Sequence, residues 1–168
     1  MEYQNYLQLI ESRLEQYFDT EREYEYQQNK FDLYAQSKIR SERYFASKKI
    51  KVYAMENHEH VFVKKTATLT ESELNHYWNL LLKATEEKVD PHDEHMSTVI
   101  TGVIVTEMDP DRNIIEQLEK KKYNKSFAFG FKGWVYIRLL AVNIATGSVY
   151  FNKRGKEVHE VYSPTLST

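Results

Sequence analysis

The stretch 97-STVITGVIVTE-107 decides the fold of this chain. Most of its residues are β-branched, and apolar side chains fall on both faces of the extended chain. A strand that is apolar on both faces is typical of the middle of a sheet, where both surfaces are covered. The sequence therefore predicts a central strand here, with other elements packed on both sides of it.

A predicted helix lies on each side of this strand in the sequence. The segment 70-TESELNHYWNLLLKATEEK-88 opens with Thr70 and Glu73 in the pattern of a capping box, and its apolar residues repeat at helical spacing. The segment 109-DPDRNIIEQLEKKK-122 begins with an Asp-Pro pair, which we interpret as the cap and the first helical residue. Its three final lysines face the negative end of the helix dipole.

Further upstream, the hydrophobic period changes from helical to alternating. Residues 2 to 20 carry apolar side chains at helical spacing, which predicts an amphipathic N-terminal helix. Short alternating bursts between residues 31 and 63 predict an antiparallel meander of three or four strands. Polar breaks at residues 37–42, 47–48 and 56–59 would separate these strands.

Downstream lies the aromatic stretch 125-KSFAFGFKGWVYIRLLAVN-143. We interpret its Lys132-Gly133 pair as a two-residue hairpin turn, and Gly147 as the mark of a second turn. Five aromatic residues then alternate around the first turn and would pair across the hairpin: Phe127, Phe129, Phe131, Trp134 and Tyr136. Phe131 would face Trp134, and each such aromatic pair contributes roughly 0.2–1 kcal/mol.

Together these elements predict an α+β fold. We expect a largely antiparallel sheet of about six or seven strands with three helices, the N-terminal helix first. The 168 residues suggest a single domain, 1–168, with a flexible C-terminal tail from about residue 159 to 168.

Composition restricts the possible functions. The 23 basic and 25 acidic residues nearly balance, so any polyanion would need a local basic patch. The chain has no cysteine and only five glycines, and it contains no glycine-rich phosphate loop. Its first thirty residues are charged throughout, and it has no apolar run long enough for a membrane span. We therefore expect a soluble cytoplasmic protein without a cofactor and without a membrane partner.

The start of the aromatic stretch resembles the octamer of RNA-recognition motifs, in which Lys125, Phe127, Ala128 and Phe129 match the pattern. In that family the octamer lies on the third strand of a strand-helix-strand-strand-helix-strand unit, and its aromatic rings stack on bases. Here the helix before the octamer leaves no room for the strand that should precede it. We therefore expect the rings to be covered, either inside the protein or against a second copy.

A second resemblance is to metal-dependent nucleases of the PD-(D/E)xK type, which place one carboxylate near one strand and E-x-K on the next, before a helix. Asp32 or Glu56 would be the first carboxylate, and Lys64 would be the lysine. Phe62 stands where the second carboxylate should be, so the cation would lose a principal ligand. The resemblance implies at most a degenerate nuclease-like site.

The run 92-HDEH-95 offers His92, Asp93 and His95 as candidate metal ligands, since imidazole and carboxylate groups bind zinc, manganese or iron. Because it follows a proline in a polar loop, we expect solvated loop residues in preference to a metal site. The basic runs 120-KKK-122 and 153-KRGK-156 would form an anion-binding rim if the fold brought them together.

We therefore predict a non-enzymatic interaction protein. It would self-associate into a homo-oligomer or bind another protein. The alternative is a module that binds nucleic acid or another anion with the aromatic hairpin 125–143 and nearby basic residues. Its candidate binding residues are Phe127, Phe129, Phe131, Lys132, Trp134, Tyr136, Arg138, Lys153 and Arg154. A degenerate nuclease is the third hypothesis.

Overall fold

The computed structural model describes residues 1–44, 51–93 and 95–165, and for 39–44 and 51–55 it describes the backbone alone. Within these ranges the chain forms four helices: α1 (Tyr3–Leu14), α2 (Glu71–Glu87), α3 (Arg112–Lys120) and the single turn α4 (His159–Tyr162). It forms seven strands: β1 (Asp19–Tyr26), β2 (Asn29–Tyr44), β3 (Lys51–Lys65), β4 (His95–Thr106), β5 (Asn124–Ser126), β6 (Trp134–Asn143) and β7 (Val149–Phe151). In this part of the chain no helix is both long and apolar enough to cross a membrane.

All seven strands belong to one sheet in the order β1-β2-β3-β4-β6-β5, and β7 pairs with β6. Strand β2 is antiparallel to both β1 and β3, but the described residues between 31 and 63 lie in two long strands, β2 and β3, instead of the predicted three or four. Strands β3, β4 and β6 run parallel, however, so the prediction of a largely antiparallel sheet was wrong. The physical reason is that α2 and α3 each return the chain to the end where the preceding strand began.

Strand β4 confirms the central strand predicted from the sequence. It pairs with β3 on one side and β6 on the other, and every residue from 98 to 106 is buried. Helices α2 and α3 contribute to the apolar core on one face of the sheet, and α1 and α4 to the core on the other. At Gly102 the α2 side chains Leu81 and Tyr77 approach so closely that a Cβ atom would lie 2.5 Å from Leu81.

The observed helix ends agree in part with those predicted from the sequence. The Thr70–Glu73 capping box is present, with both reciprocal hydrogen bonds formed. Helix α3 begins one residue after Asp111, so the Asp-Pro pair lies before the cap instead of forming it. The carboxylate of Asp109 accepts hydrogen bonds from Asn143 and Tyr150 instead. Helix α1 is shorter than predicted, since β1 already begins at Asp19.

Two of the predicted polar breaks are strand residues. Residues 37–42 belong to β2 and 56–59 to β3, and the two segments pair with each other. The predicted break at 47–48 lies outside the described residues. Polar side chains do not interrupt these strands, because the backbone groups are paired in the ladder between β2 and β3, and residues 56–59 also pair with β4.

The predicted aromatic hairpin was wrong. Strand β5 ends at Ser126, which pairs with Trp134, so residues 127–133 form a longer loop instead of a two-residue turn. Phe131 therefore does not pair with Trp134. The second predicted turn is confirmed, because Gly147 has a φ of 82° between β6 and β7.

The C-terminal segment differs from the flexible tail that we predicted. Residues 159–162 form α4, and Tyr162 is buried in the core beside α1. The hydroxyl of Tyr6 donates to the carbonyl of Tyr162, and Arg13 donates to the carbonyls of Val161 and Ser163. The segment is thus hydrogen-bonded to α1 up to Ser163.

Gly102 offers a direct test of the packing of α2 on β4. We expect Gly102→Ala to lower the free energy of unfolding by about 1 kcal/mol and Gly102→Val by about 1–3 kcal/mol, because the added carbons overpack a filled core. Urea unfolding measures both effects. Ala67→Val adds similar volume at an exposed position and should change stability by less than about 0.5 kcal/mol. A Gly102→Val variant as stable as the parent would contradict the close approach.

Candidate functional site

Strand β6 places three of the candidate binding residues side by side. Trp134, Tyr136 and Arg138 alternate with buried residues, so they share the face of the sheet that α1 covers only in part. Arg154 comes from the turn after β7, and its guanidinium lies 4.3 Å from the centroid of the Tyr136 ring. The structure thus brings together two aromatic rings and two arginines from the predicted set.

Arg138 is held mainly by acidic side chains of its own protein. It forms ion pairs of 2.9 Å with Glu59 and with Glu157, and its side chain is only 12 % exposed. Burial disfavours its charge, but Glu59 and Glu157 raise the pKa of Arg138 overall. Arg138 and Glu59 line a cavity of about 430 Å³ together with Tyr17 and Tyr136. The charge of Arg138 is therefore already paired within the protein, and the residue stabilises this surface.

The two basic runs come together, as an anion-binding rim requires. A cavity of about 400 Å³ lies between the end of α3 and the turn at residues 152–157. Its lining includes two acidic residues, Glu119 and Glu157, and five basic ones: Lys120, Lys121, Lys122, Lys153 and Arg154. Lys121 donates to Asn75, whereas Lys122 and Lys153 form no ion pair with the described residues.

Asn152 holds this cavity in shape. Its side chain is buried and accepts hydrogen bonds from the amides of Leu139 and Gly155, at 3.0 and 2.8 Å. Its amide group donates to the carbonyls of Lys121 and Ile137. One side chain thereby joins strand β6, the end of α3 and the turn that carries the two basic residues of 153–154.

The cavity continues toward the aromatic residues. A second cavity of about 350 Å³ is lined by Asn124, Ser126, Trp134 and Arg154, and it shares Asn124 and Arg154 with the first. We call the two together the basic groove. It runs from the lysines at the end of α3, along β5, to Trp134 at the start of β6.

Charge is distributed unevenly along the chain around this groove. Residues 119–160 contain nine basic and three acidic side chains, although the whole chain has a net charge of −2. A basic segment within a protein of nearly balanced charge is a feature of polyanion-binding surfaces. The near-neutral total composition concealed this asymmetry.

Residues 127–133, which we call the aromatic loop, extend from the far end of the groove. Phe129 is 100 % exposed and Phe131 is 83 % exposed. Ala128 and Phe129 both have positive φ values, 48° and 55°, which are disfavoured for residues that carry a Cβ. Strained backbone that presents exposed rings is more typical of a binding site than of a core.

A polar cluster lies beside the aromatic loop, on the α2 face of the sheet. The Glu56 carboxylate is buried and lies 3.1 Å from His92 Nε2, 3.3 Å from His58 Nε2 and 3.5 Å from the Lys38 amine. Burial alone would raise the pKa of Glu56, but His58, Lys38 and His92 lower it to about 2. The carboxylate is therefore ionised across the physiological range.

Of the candidate metal ligands, His92 and His95 belong to this cluster, with ring centroids 6.2 Å apart, whereas Asp93 is exposed. Both nitrogens of His95 are hydrogen-bonded, to the Lys132 carbonyl and to the Thr98 hydroxyl. Within the described ranges no group of three or more His, Asp or Glu side chains is arranged to hold a metal ion.

The residues of the nuclease-like pattern lie apart. Asp32 accepts hydrogen bonds from the Tyr3 hydroxyl and the Lys65 amide, while Glu56 belongs to the polar cluster. Phe62 is buried in the core against α2. Asp32 and Glu56 thus have separate hydrogen-bond partners, and no described contact joins them.

Sequence reasoning missed Asn152 altogether, and it named His95 only as a candidate metal ligand in a solvated loop. Asn152 looks like an ordinary turn residue, and His95 looks like a solvated loop residue, yet both are buried. A usable signal was the spacing of Glu56, His58 and His60, which places all three on one face of a strand. We had interpreted that segment as a break between strands.

A family model described as "Domain of unknown function (DUF8052)" matches residues 2–164. The chain belongs to this family. No curated protein and no solved structure matches it.

The buried His60 on β3 predicts that the fold is less stable at acidic pH. His60 is buried, its Nδ1 is hydrogen-bonded to the Tyr34 hydroxyl at 2.7 Å, and its Nε2 has no partner among the described residues. Burial and the nearby Lys88 lower the pKa of His60 to about 4. Between that value and the usual 6.5, the unfolded chain binds the proton more tightly, so stability falls as pH drops through this window.

We expect urea unfolding at several pH values to show this loss between about pH 6.5 and 4. His60→Gln should make the pH dependence shallower, although not flat, because burial also lowers the pKa of His95. Tyr34→Phe removes the hydrogen bond but keeps His60 buried, so it should retain the steep dependence. An unchanged slope in His60→Gln would show that another group is responsible.

Proposed function

We propose that this protein binds single-stranded nucleic acid along the basic groove and the aromatic loop. The observation that carries the proposal is the continuity of the two cavities, which share Asn124 and Arg154 and lead from the lysines to Trp134. A positively charged groove with aromatic rings along it is the usual arrangement for single-strand binding.

The basic part of the groove suits a phosphate backbone. Lys120, Lys122 and Lys153 are exposed, and the described part of the chain offers Lys122 and Lys153 no carboxylate at ion-pair distance. Like charges held close together repel, and a bound polyanion would relieve that repulsion while releasing its own counterions. Backbone contacts of this kind would position the strand without reading its sequence.

The aromatic part suits unpaired bases. Phe129 and Phe131 expose their rings almost fully, and Trp134 is half-buried at the end of the groove. Base–aromatic stacking contributes about 1–3 kcal/mol per base and tolerates any base. Bases inside a duplex are already stacked on one another, so these rings favour a single strand over a double helix.

Self-association, which the sequence favoured, is the second candidate. Its specific support is the same exposure of Phe129 and Phe131, since exposed rings on one copy can pack against another. The nine basic residues of the segment 119–160 oppose a two-fold contact there, because such a contact would bring two copies of the same basic patch together. We therefore place nucleic-acid binding first.

A fluorescence titration with a labelled single-stranded oligonucleotide tests the proposal. We expect binding that weakens with salt, and a slope of log K against log salt that falls by about one for each lysine removed in Lys122→Ala and Lys153→Ala. Lys83→Ala removes an exposed lysine from α2, outside the groove, and should leave the slope unchanged.

The rings have a different expected signature. Phe129→Ala combined with Phe131→Ala should weaken binding by about 1–3 kcal/mol per stacked base with no change in salt slope. Sedimentation of the parent protein in the same buffer distinguishes the second candidate. A concentration-dependent dimer that these two substitutions abolish, with no oligonucleotide binding, would favour self-association and reject the proposed function.

A further inference from the structure

The aromatic loop needs an anchor, because its own conformation is unfavourable. Ala128 and Phe129 hold left-handed backbone angles, and their side chains gain nothing from burial. Hydrogen bonds inside the loop join Phe127 to Gly133 and to Gly130, but they do not attach it to the rest of the protein. Something outside the loop must therefore select this conformation from others.

His95 makes that attachment. Its side chain is 3 % exposed, and its Nδ1 lies 2.7 Å from the carbonyl oxygen of Lys132. A carbonyl only accepts, so Nδ1 carries the proton and donates. Nε2 then accepts from the Thr98 hydroxyl at 2.8 Å, which fixes the ring and its tautomer. The ring also meets Phe127 edge-on, with centroids 6.2 Å apart.

Gly133 shows how closely the loop is seated on this histidine. A Cβ atom at Gly133 would lie 2.5 Å from His95 Nδ1 and 2.6 Å from the carbonyl oxygens of His95 and Met96. Its φ of 83° is also a conformation that glycine adopts readily. The sequence thus provides the one residue type that lets the end of the loop contact His95 directly.

We propose that His95 is a positioning residue for ligand binding, which holds the aromatic loop so that Phe129 and Phe131 face a bound strand. This inference rests on the proposed function. His95 itself would not touch the ligand, because it is buried beneath the loop. Among the described residues outside the loop and the adjoining strands β5 and β6, His95 is the one whose side chain forms a hydrogen bond with the loop backbone.

Two substitutions separate the hydrogen bond from simple packing. In His95→Asn the side-chain amide nitrogen lies near the position of Nδ1, so the bond to Lys132 can persist. In His95→Gln the amide extends toward the position of Nε2, and that bond is lost. We expect His95→Gln to weaken oligonucleotide binding about five- to tenfold, and His95→Asn to stay within about twofold of the parent.

The salt slope and amide exchange provide readouts that general damage to the fold would not reproduce. Both variants should keep the parent salt slope, because the lysines of the groove do not contact His95. Amide exchange at Gly130 and Phe131 should accelerate in His95→Gln alone, even without oligonucleotide. His76→Gln, a substitution at an exposed histidine on α2, is the matched control and should change neither quantity.

The outcomes are distinguishable. If the parent protein binds and the Phe129/Phe131 double variant does not, while His95→Gln binds like the parent, the proposed function survives and the role of His95 is overturned. If both His95 variants weaken binding equally, or lower the salt slope or the melting temperature together, His95 is only structural and the inference fails. If the parent does not bind, the proposed function fails as well.

Discussion

The burial of β4 on both faces constrains where polar chemistry can lie in this protein. Its two neighbours, β3 and β6, run parallel to it, and helices complete both layers over their apolar side chains. At Gly102 the covering helix approaches so closely that no side chain fits between. Charges next to β4 are therefore paired, as Arg138 on β6 is with Glu59 on β3, whereas Lys122 and Lys153, which form no ion pair with the described residues, lie at the edge beyond β6, because burying an unpaired charge would cost too much free energy.

That edge gathers the basic residues of the C-terminal third. Acidic partners are present, but Glu157 is shared between Arg138 and Arg154, so it does not neutralise the lysines. Asn152 then fixes the turn and the end of α3 at a short distance from each other. A rigid framework that brings unpaired like charges together favours a bound anion, since the folded chain alone gains nothing from their repulsion.

The sequence predicted the features that depend on a local pattern, and it did not predict those that depend on which strands pair. The capping box at Thr70 and the strand around Gly102 were predictable, because each signal lies within one element. The parallel pairing of β4 and β6 was not, because it depends on which strand end the helices return to. The same limit explains the aromatic loop. The alternation of Phe127 to Phe131 predicts a strand, but the chain forms a loop here, in which Gly133 makes a long-range contact with His95.

The two halves of the candidate site depend on different forces and different anchors. Charge dominates the basic groove, and Asn152 holds its walls through backbone hydrogen bonds from the edge of the sheet. Stacking would dominate the aromatic loop, and His95 holds it from the α2 face. Because the two anchors hold different segments and share no hydrogen-bond partner, we expect a substitution at one anchor to leave the other half of the site in place. A single strand that engages both halves gains affinity from each, whereas a ligand with phosphate alone or rings alone engages only one.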